Sequence, residues 1–301
     1  MRTVIECVPN FSEGADPVKV GEIADAVRAV PGLRLLNVSS DASHNRSVLT
    51  FVGDPTAVRG GVLALFEAAL PRIDLTRHRG EHPRMGAVDV VPLIPIRGAT
   101  VADCVALSRE LGEEIGRRFG IPVYLYEDSA ASEGRRNLAD VRKGEFEGLA
   151  AKMEKPEWKP DFGPDRPHST AGAVAIGVRA PLIAYNINLA TRDLAVAERI
   201  AKSIRHVSGG FRYVKAMGVD LADRGLVQVS INMTNYRKTP LHRVFECVRS
   251  EADRHGVAIV GSEIVGLTPA DALYQAAEHY LRLENFSSDQ VLETQLLESE
   301  D

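Results

Sequence analysis

Apolar positions along the first part of the chain follow two alternating periods, one typical of helices and one typical of strands. Apolar residues recur at helical spacing in three segments, residues 17–30, 57–70 and 101–119. Short apolar runs that predict strands lie between them, at residues 4–8, 33–38, 47–52, 87–96 and 122–126. Asp16-Pro17 and Asp54-Pro55 give the first two helices a capping aspartate and a first-turn proline. The order β-α-β-β-α-β predicts a split-βαβ, ferredoxin-like unit with an extra helix and strand.

A second unit of similar order follows a proline-rich connection at residues 155–167. Strands are predicted at residues 171–178, 181–188, 212–217, 226–233 and 257–264. Helices are predicted at residues 194–206 and 241–255, and a third after Thr268-Pro269. The pattern therefore predicts an α/β (α+β) protein with two ferredoxin-like split-βαβ subdomains, residues 1–168 and residues 169–301 with an acidic tail. Each sheet needs a cover for its second face, so we expect the two sheets to face each other across a cleft.

The amino-acid composition argues against a nucleic-acid-binding protein and against a membrane protein. Of the 301 residues, 45% are hydrophobic, and the net charge of −5 lacks the basic excess of nucleic-acid-binding proteins. Neither a signal segment nor an apolar run of about 18 residues is present, which predicts a protein outside the membrane. The three cysteines lie far apart in apolar stretches, which favours a reducing compartment and a cytoplasmic location.

The densest polar cluster lies between a predicted helix and strand, at residues 76–89. Histidines His78 and His82 stand there among three arginines, and neighbouring positive charges lower a histidine pKa and favour its neutral, proton-accepting form. Gly80 and Pro83 argue against a helix, so the four-residue spacing of the histidines does not indicate a metal site. The alternative interpretation is a solvated turn with incidental charges.

Three further segments of the chain are also rich in polar residues or glycines. Residues 41–46 connect two predicted strands; a hairpin turn explains Asp41 and Asn45 but leaves His44 and Arg46 unexplained. Residues 163–172 contain glycines that permit close approach to a ligand, without the fingerprint of a Rossmann or phosphate-binding loop. The arginine-rich residues 135–142 are typical of a charged helix start.

Several segments resemble glutamate formiminotransferase, the formiminotransferase domain family of folate metabolism. The most specific is His-Arg-Gly-Glu-His-Pro-Arg-Met-Gly at residues 78–86. The others are residues 7–14, 133–140, 160–164, 232–235 and 261–267. The resemblance runs from about residue 3 to about residue 282. Two positions depart from the family pattern: Ser43, where relatives usually have aspartate, and Ser169, where they often have proline.

The resemblance implies transfer of a formimino group between N-formimino-L-glutamate and tetrahydrofolate, the latter as co-substrate and without a metal. It also implies a folate-binding cleft between the facing sheets, a homodimer, and a stand-alone form without the cyclodeaminase domain. The family's catalytic histidine falls on His82. Its folate-binding stretch falls on Gly163, Pro164, Asp165, Arg166, Pro167, His168, Ser169, Thr170, Ala171 and Gly172.

The proton transfer and the charges of the two substrates indicate roles for individual residues. His82 would take the proton from the folate amine and return it to the departing glutamate nitrogen. Charged and polar groups nearby are expected to bind the substrates: Asp41, His44, Arg46, Arg77, Arg79, Glu81 and Arg84. Two alternatives stay open: a folate enzyme acting on a formyl group, and a non-catalytic folate-binding protein. The sequence leaves open the direction of transfer, the polyglutamate preference and the role of the acidic tail.

Overall fold

The protein, described by a computed structural model over residues 3–299, divides into two compact units. The boundary between the units lies between Arg179 and Ala180. Each unit contains its own sheet and its own buried apolar core. Within residues 3–299, each helix is too short or too polar to cross a membrane.

The first unit is built on a seven-stranded sheet. Its strands are β1 (Val4–Cys7), β2 (Asn10–Phe11), β3 (Arg34–Asp41), β4 (Arg46–Gly53), β5 (Val88–Arg97), β6 (Val123–Glu127) and β7 (Val174–Val178). Its helices are α1 (Pro17–Arg28), α2 (Pro55–Ala69), α3 (Val101–Phe119), α4 (Leu138–Arg142) and α5 (Glu145–Met153). β1 and β2 both lie between β4 and β5, while β3 pairs with the other side of β4. These strands and α1 and α2 form the predicted split-βαβ unit.

The predicted helix starts are confirmed. The side chain of Asp16 accepts from the backbone N–H of Val18, and that of Asp54 accepts from the N–H of Ala57. A capping box formed by Thr100 and Asp103 begins α3. Helices α1, α2 and α3 bury their apolar residues against one face of the sheet. On the opposite face, α4 and α5 pack on β5, β6 and β7.

Strand β7 corresponds to the run predicted to open the second subdomain, and it lies instead in the first sheet. It pairs in parallel with β5 on one side and with β6 on the other. All five residues of β7 are buried because both faces of the sheet are covered there. The unit boundary therefore lies at 179/180, after this strand, whereas the sequence pattern placed it at 168/169.

The second unit is built on a four-stranded antiparallel sheet with the strand order β11-β8-β10-β9. Its strands are β8 (Ile183–Leu189), β9 (Val214–Leu221), β10 (Leu226–Met233) and β11 (Ile259–Val265). Its helices are α6 (Leu194–Ile204), α7 (Leu241–Arg254), α8 (Ala270–Leu281) and α9 (Leu292–Ser299). Helices α6 and α7 bury Ile200, Val244 and Val248 in the core against the sheet. This is the second ferredoxin-like order predicted from the sequence.

Candidate active site

The His82 loop, residues 76–86, has no regular helix and follows α2 on the way to β5. Asn45, in the turn between β3 and β4, fixes its position. The Asn45 side chain accepts from the N–H of Gly14 at 2.9 Å and donates to the carbonyl of Arg79 at 2.9 Å. A side-chain carbon on Gly80 would lie 2.4 Å from the His44 carbonyl oxygen, so glycine allows this contact. The turn and the loop therefore pack closely together.

The imidazole of His82 lies between two arginines. Nη1 of Arg46, at the start of β4, is 3.0 Å from His82 Nε2. Nη2 of Arg142, the last residue of α4, is 3.3 Å from His82 Nε2 and 3.4 Å from Nδ1. Among residues 3–299, these two guanidinium groups are the hydrogen-bonding partners of the ring. Burial and the charges of Arg46 and Arg142 lower the pKa of His82 to about 3.

Arg142 is itself held by a buried carboxylate. Asp89 on β5 is 1% exposed, and its Oδ2 lies 2.7 Å from Arg142 Nη2. The other carboxylate oxygen accepts from the N–H groups of Met85 and Gly86 at 2.7 and 3.1 Å. Burial raises the pKa of Asp89, and its pairing with Arg142 opposes that rise.

Neither Arg142 nor Asp89 was selected from the sequence as a site residue, although a signal for Asp89 existed. It is an acidic residue inside an apolar strand, and a buried carboxylate requires a partner. The interpretation of residues 135–142 as a charged helix start describes α4 correctly. It misses that the final arginine of this helix reaches the ring of His82.

Asp41 and His44 form a pair beside the site. His44 Nδ1 is 3.0 Å from the Asp41 carboxylate, whose pKa is lowered chiefly by the backbone N–H of His44. The rings of His44 and His82 have their centroids 6.3 Å apart. The structure therefore brings the turn at residues 41–46 next to His82, and Asp41 reaches His82 only through His44.

Arg84 has a different environment from the one expected of a substrate anchor. Its guanidinium donates to both carboxylate oxygens of Glu147, at 2.7 and 2.8 Å, and lies 3.3 Å from Glu145. Its Nε donates to His78 Nδ1 at 3.2 Å, and His78 Nε2 donates to the carbonyl of Asn45 at 2.8 Å. The hydrogen bonds from Arg84 lower the pKa of Glu147 to about 2. Arg84 and His78 thus brace the His82 loop.

The remaining charged residues of the His82 loop are exposed. The Arg77 side chain is 89% exposed and lies 3.6 Å from Asp74. Arg79 donates to the carbonyl of His78, and the exposed Glu81 is tied to Ser43 through its backbone N–H. A cleft of about 750 Å³ runs beside the loop, lined by Arg79, Arg84, Glu145 and Glu147 among others.

The expected folate stretch, Gly163 to Gly172, divides into two parts. Gly163 packs against Gly116 on α3, with a positive φ of 82°. His168 and Gly172 exchange backbone hydrogen bonds of 2.9 Å and close a tight turn. That turn lies beside the His82 loop, since the N–H of Leu75 donates to the Thr170 carbonyl and Gly172 bridges to Gly86. Only this second part adjoins the loop that carries His82.

Histidine, cysteine, aspartate and glutamate residues are spread over the described residues 3–299. No group of three or more histidine, cysteine, aspartate or glutamate side chains comes together there in an arrangement that could hold a metal ion.

The comparisons with known proteins agree with the motifs. The family model described as the formiminotransferase domain, N-terminal subdomain, matches residues 4–179, and the model of the formiminotransferase domain matches residues 184–298. A glutamate formimidoyltransferase of Streptococcus pyogenes serotype M1 is 48% identical over 298 residues, covering 99% of this chain and 100% of the relative.

Two other relatives are similar to this chain over nearly its whole length. A glutamate formimidoyltransferase of Thermoplasma acidophilum is 46% identical over 98% of this chain and 97% of its own length. The formimidoyltransferase-cyclodeaminase of Gallus gallus is 43% identical over 94% of this chain, which spans only 53% of that longer protein. The resemblance expected from the motifs is confirmed, and the chain belongs to the formiminotransferase domain family.

Proposed function

We propose that the protein is a glutamate formimidoyltransferase, which moves the formimino group between N-formimino-L-glutamate and tetrahydrofolate. The observation that carries this proposal is the 48% identity to a glutamate formimidoyltransferase over the full length of both chains. The products in the folate-loading direction are 5-formimidoyltetrahydrofolate and L-glutamate. The small-molecule partners are therefore a folate and a glutamate derivative, and we expect a cytoplasmic homodimer.

The transfer needs one group that both accepts and donates a proton. A folate nitrogen forms a bond to the amidine carbon and loses a proton, while the bond from that carbon to the glutamate nitrogen breaks and this nitrogen gains one. We assign the proton transfer to His82, whose ring is neutral at physiological pH. The proton removed from one nitrogen is returned to the other, so no covalent bond to the enzyme is required.

The groups around His82 suit charged substrates. We assign carboxylate binding to Arg46, Arg77 and Arg79, because guanidinium groups bind carboxylates with charge-assisted hydrogen bonds. Arg84 is excluded from this direct role in the proposal, because Glu147 already occupies its guanidinium. We assign binding of the cationic amidine to Asp41 or Glu81, with His44 as the link between Asp41 and His82.

We place the folate along residues 163–172, and chiefly along the turn from His168 to Gly172. The support for this is the contact of the turn with Gly86 of the His82 loop and with Leu75, the residue that precedes the loop. A folate bound along this turn would reach the neighbourhood of His82 while its glutamate carboxylates extend toward exposed positive charges.

The test is a turnover assay with tetrahydrofolate, run in parallel on N-formimino-L-glutamate and N-formyl-L-glutamate. We expect rapid release of glutamate from the formimino compound. The variant His82→Gln should lower kcat by about 10²–10⁴-fold, which is the usual contribution of general acid–base catalysis. The control is His206→Gln, which changes an exposed histidine of the second unit and should keep full activity. Preference for the formyl compound, or full turnover by a folded His82→Gln protein, would contradict the proposal.

A further inference from the structure

The guanidinium of Arg142 is fixed from two directions. Asp89, which is buried and anchored to two backbone N–H groups, holds it at 2.7 Å. The end of α4 is fastened by Lys152, whose Nζ donates to the carbonyls of Asp140 and Val141 at 2.6 Å each. Arg142 Nη2 also donates to the Pro83 carbonyl at 2.6 Å, next to His82 in the chain. The arginine is therefore immobilised against the His82 loop.

Arg46 approaches the same ring from β4, and no carboxylate of the described residues is in contact with it. It is largely removed from solvent, and among residues 3–299 it has no carboxylate within 4.0 Å. Its Nε is buried without a hydrogen-bonding partner, and so is the Nε of Arg142. Burial and the like charge of Arg142 lower the pKa of Arg46, and the more distant Asp41 and Asp89 offset this lowering only in part. A buried positive charge without a counterion is unfavourable, so the pair has an unmet requirement for an anion.

We propose that Arg46 and Arg142 form an anion subsite on His82 that takes a carboxylate of the substrate, and that Arg142 is a positioning residue which keeps the ring neutral until this carboxylate binds. In the free protein the two positive charges prevent protonation of His82. A bound carboxylate offsets them, so the affinity of the ring for a proton rises toward the range that suits general base catalysis. The identity of the anion rests on the proposed function, whereas the subsite itself does not.

All the charged groups that face His82 enter this balance. Arg46 of β4, Arg142 of α4, and the histidines His44 and His78 each disfavour its protonation. Asp89 is paired with Arg142 and Asp41 with His44, and both carboxylates also favour the charged form of Arg46 from a greater distance. The negative groups in contact with this cluster are thus already paired, and the added carboxylate must come from a ligand.

The test follows the ring of His82 by NMR in protein labelled at its eight histidines, with the signal assigned by its loss in His82→Gln. In the free protein we expect His82 to stay neutral down to about pH 4. Removing one positive charge in Arg142→Met should raise its pKa by about 1–3 units, as is usual for a contacting charge. The variant Arg142→Lys keeps the charge and should keep the pKa low. Arg136→Met removes an exposed arginine paired with Asp128 and should change nothing.

The probe for the subsite is L-glutamate. Its addition to the wild-type protein should raise the pKa of His82 by about one unit or more, and Arg142→Met should bind it about tenfold or more weakly. A free His82 that titrates near pH 6.5, or a glutamate titration without any shift, would overturn the inference. So would an unchanged His82 pKa in folded Arg46→Met and Arg142→Met proteins. If these results hold while formimino transfer fails, the proposed function falls and the anion subsite stands.

Discussion

Asn45 connects the turn between β3 and β4 to residues 14–15 and to the His82 loop. It adopts a positive φ of 46°, which asparagine tolerates better than most residues. Its side chain binds the N–H groups of Gly14 and Ala15 on one side and the carbonyl of Arg79 on the other. A short polar side chain in a left-handed turn thus fixes the distance between Arg46 and His82, on which the chemistry depends.

The low pKa of His82 has a consequence for stability at acid pH. In the unfolded chain the histidine titrates near 6.5, whereas burial and two arginines lower its pKa to about 3 in the folded protein. Below about pH 6.5 the unfolded chain therefore binds a proton that the folded protein does not. The stabilising contribution is complete above pH 6.5 and is lost as the pH falls toward 3.

We expect the variant His82→Gln to tolerate acid better than the wild type. Between pH 7 and pH 5, its free energy of unfolding should fall by about 1–2 kcal/mol less than that of the wild type, a figure reduced for the partial exposure of the ring. Urea unfolding at the two pH values measures the difference, and His206→Gln provides the comparison. A parallel loss in His82→Gln and in the wild type would contradict the low pKa.

Part of this arrangement could be predicted from the sequence. The arginines close to His82 in the sequence indicated a lowered pKa, and the direction agrees, but the arginines responsible are Arg46 and Arg142. Arg142 could not be predicted in the same way, because 60 residues separate it from His82 and only the packing of α4 brings them together. The partner of Arg84 was missed for the same reason, since Glu147 lies on α5.

At the scale of elements, two glycines join the His82 loop to β7. Gly172 has a φ of +66°, and a side-chain carbon there would lie 2.0 Å from the Met85 carbonyl oxygen. A carbon on Gly86 would lie 2.1 Å from the carbonyl oxygen of Ala173. The two backbones can touch only because neither residue has a side chain, and this contact places the His168–Gly172 turn beside the loop.

The variant Gly172→Ala should therefore disrupt both segments. We expect a loss of about 3 kcal/mol or more in the free energy of unfolding, from backbone strain combined with the clash. The matched control is Gly134→Ala, because nothing lies within 4 Å of a carbon added there. Chemical denaturation of the two variants measures the contrast. Equal stability of Gly172→Ala and Gly134→Ala would show that the close contact is absent.

The sequence predicted most helices and strands of both units, but it missed β2 and α5 and assigned β7 to the second unit. The apolar run of β7 predicted a strand, but a run of this length carries no information about the sheet it joins. Strand β7 joins the first sheet because Val174–Val178 pair with β5 and β6. These strands are distant in the sequence, so a local pattern does not reveal the pairing. The glycines at 86 and 172 were visible in the sequence, whereas the contact between them was not.

At the scale of the molecule, the chain contains two units that each bury a separate core. Leu93 is fully buried in the core of the first unit and Ile187 in that of the second. Both ferredoxin-like orders were predicted from periodicity, because each unit repeats local β-α-β-β-α-β signals. The sequence motifs also predicted the family, since their characteristic residues are spread over both units.

Because the two cores are separate, we expect a destabilising substitution in one unit to reduce mainly the stability of that unit. The variants Leu93→Ala and Ile187→Ala should each cost about 2–5 kcal/mol. Hydrogen exchange should accelerate most in the sheet that contains the substitution, β5 and its neighbours in the first case and β8 and its neighbours in the second. Mass spectrometry of the exchanged peptides tests this, each variant serving as the control for the other. Equal acceleration in both sheets would contradict independent cores.

The insertion of β7 between β5 and β6 also sets an order of events on the ribosome. Strand β6 ends at Glu127, and the strand that links it to the sheet begins only at Val174. At synthesis rates of roughly 5–20 residues per second, about 2–10 s pass between the synthesis of β6 and the synthesis of β7. During that interval β5 and β6 both expose unpaired edges of apolar sequence, which is the feature that promotes aggregation and that chaperones protect. The strand that completes the sheet is thus also the last part of its unit to be made.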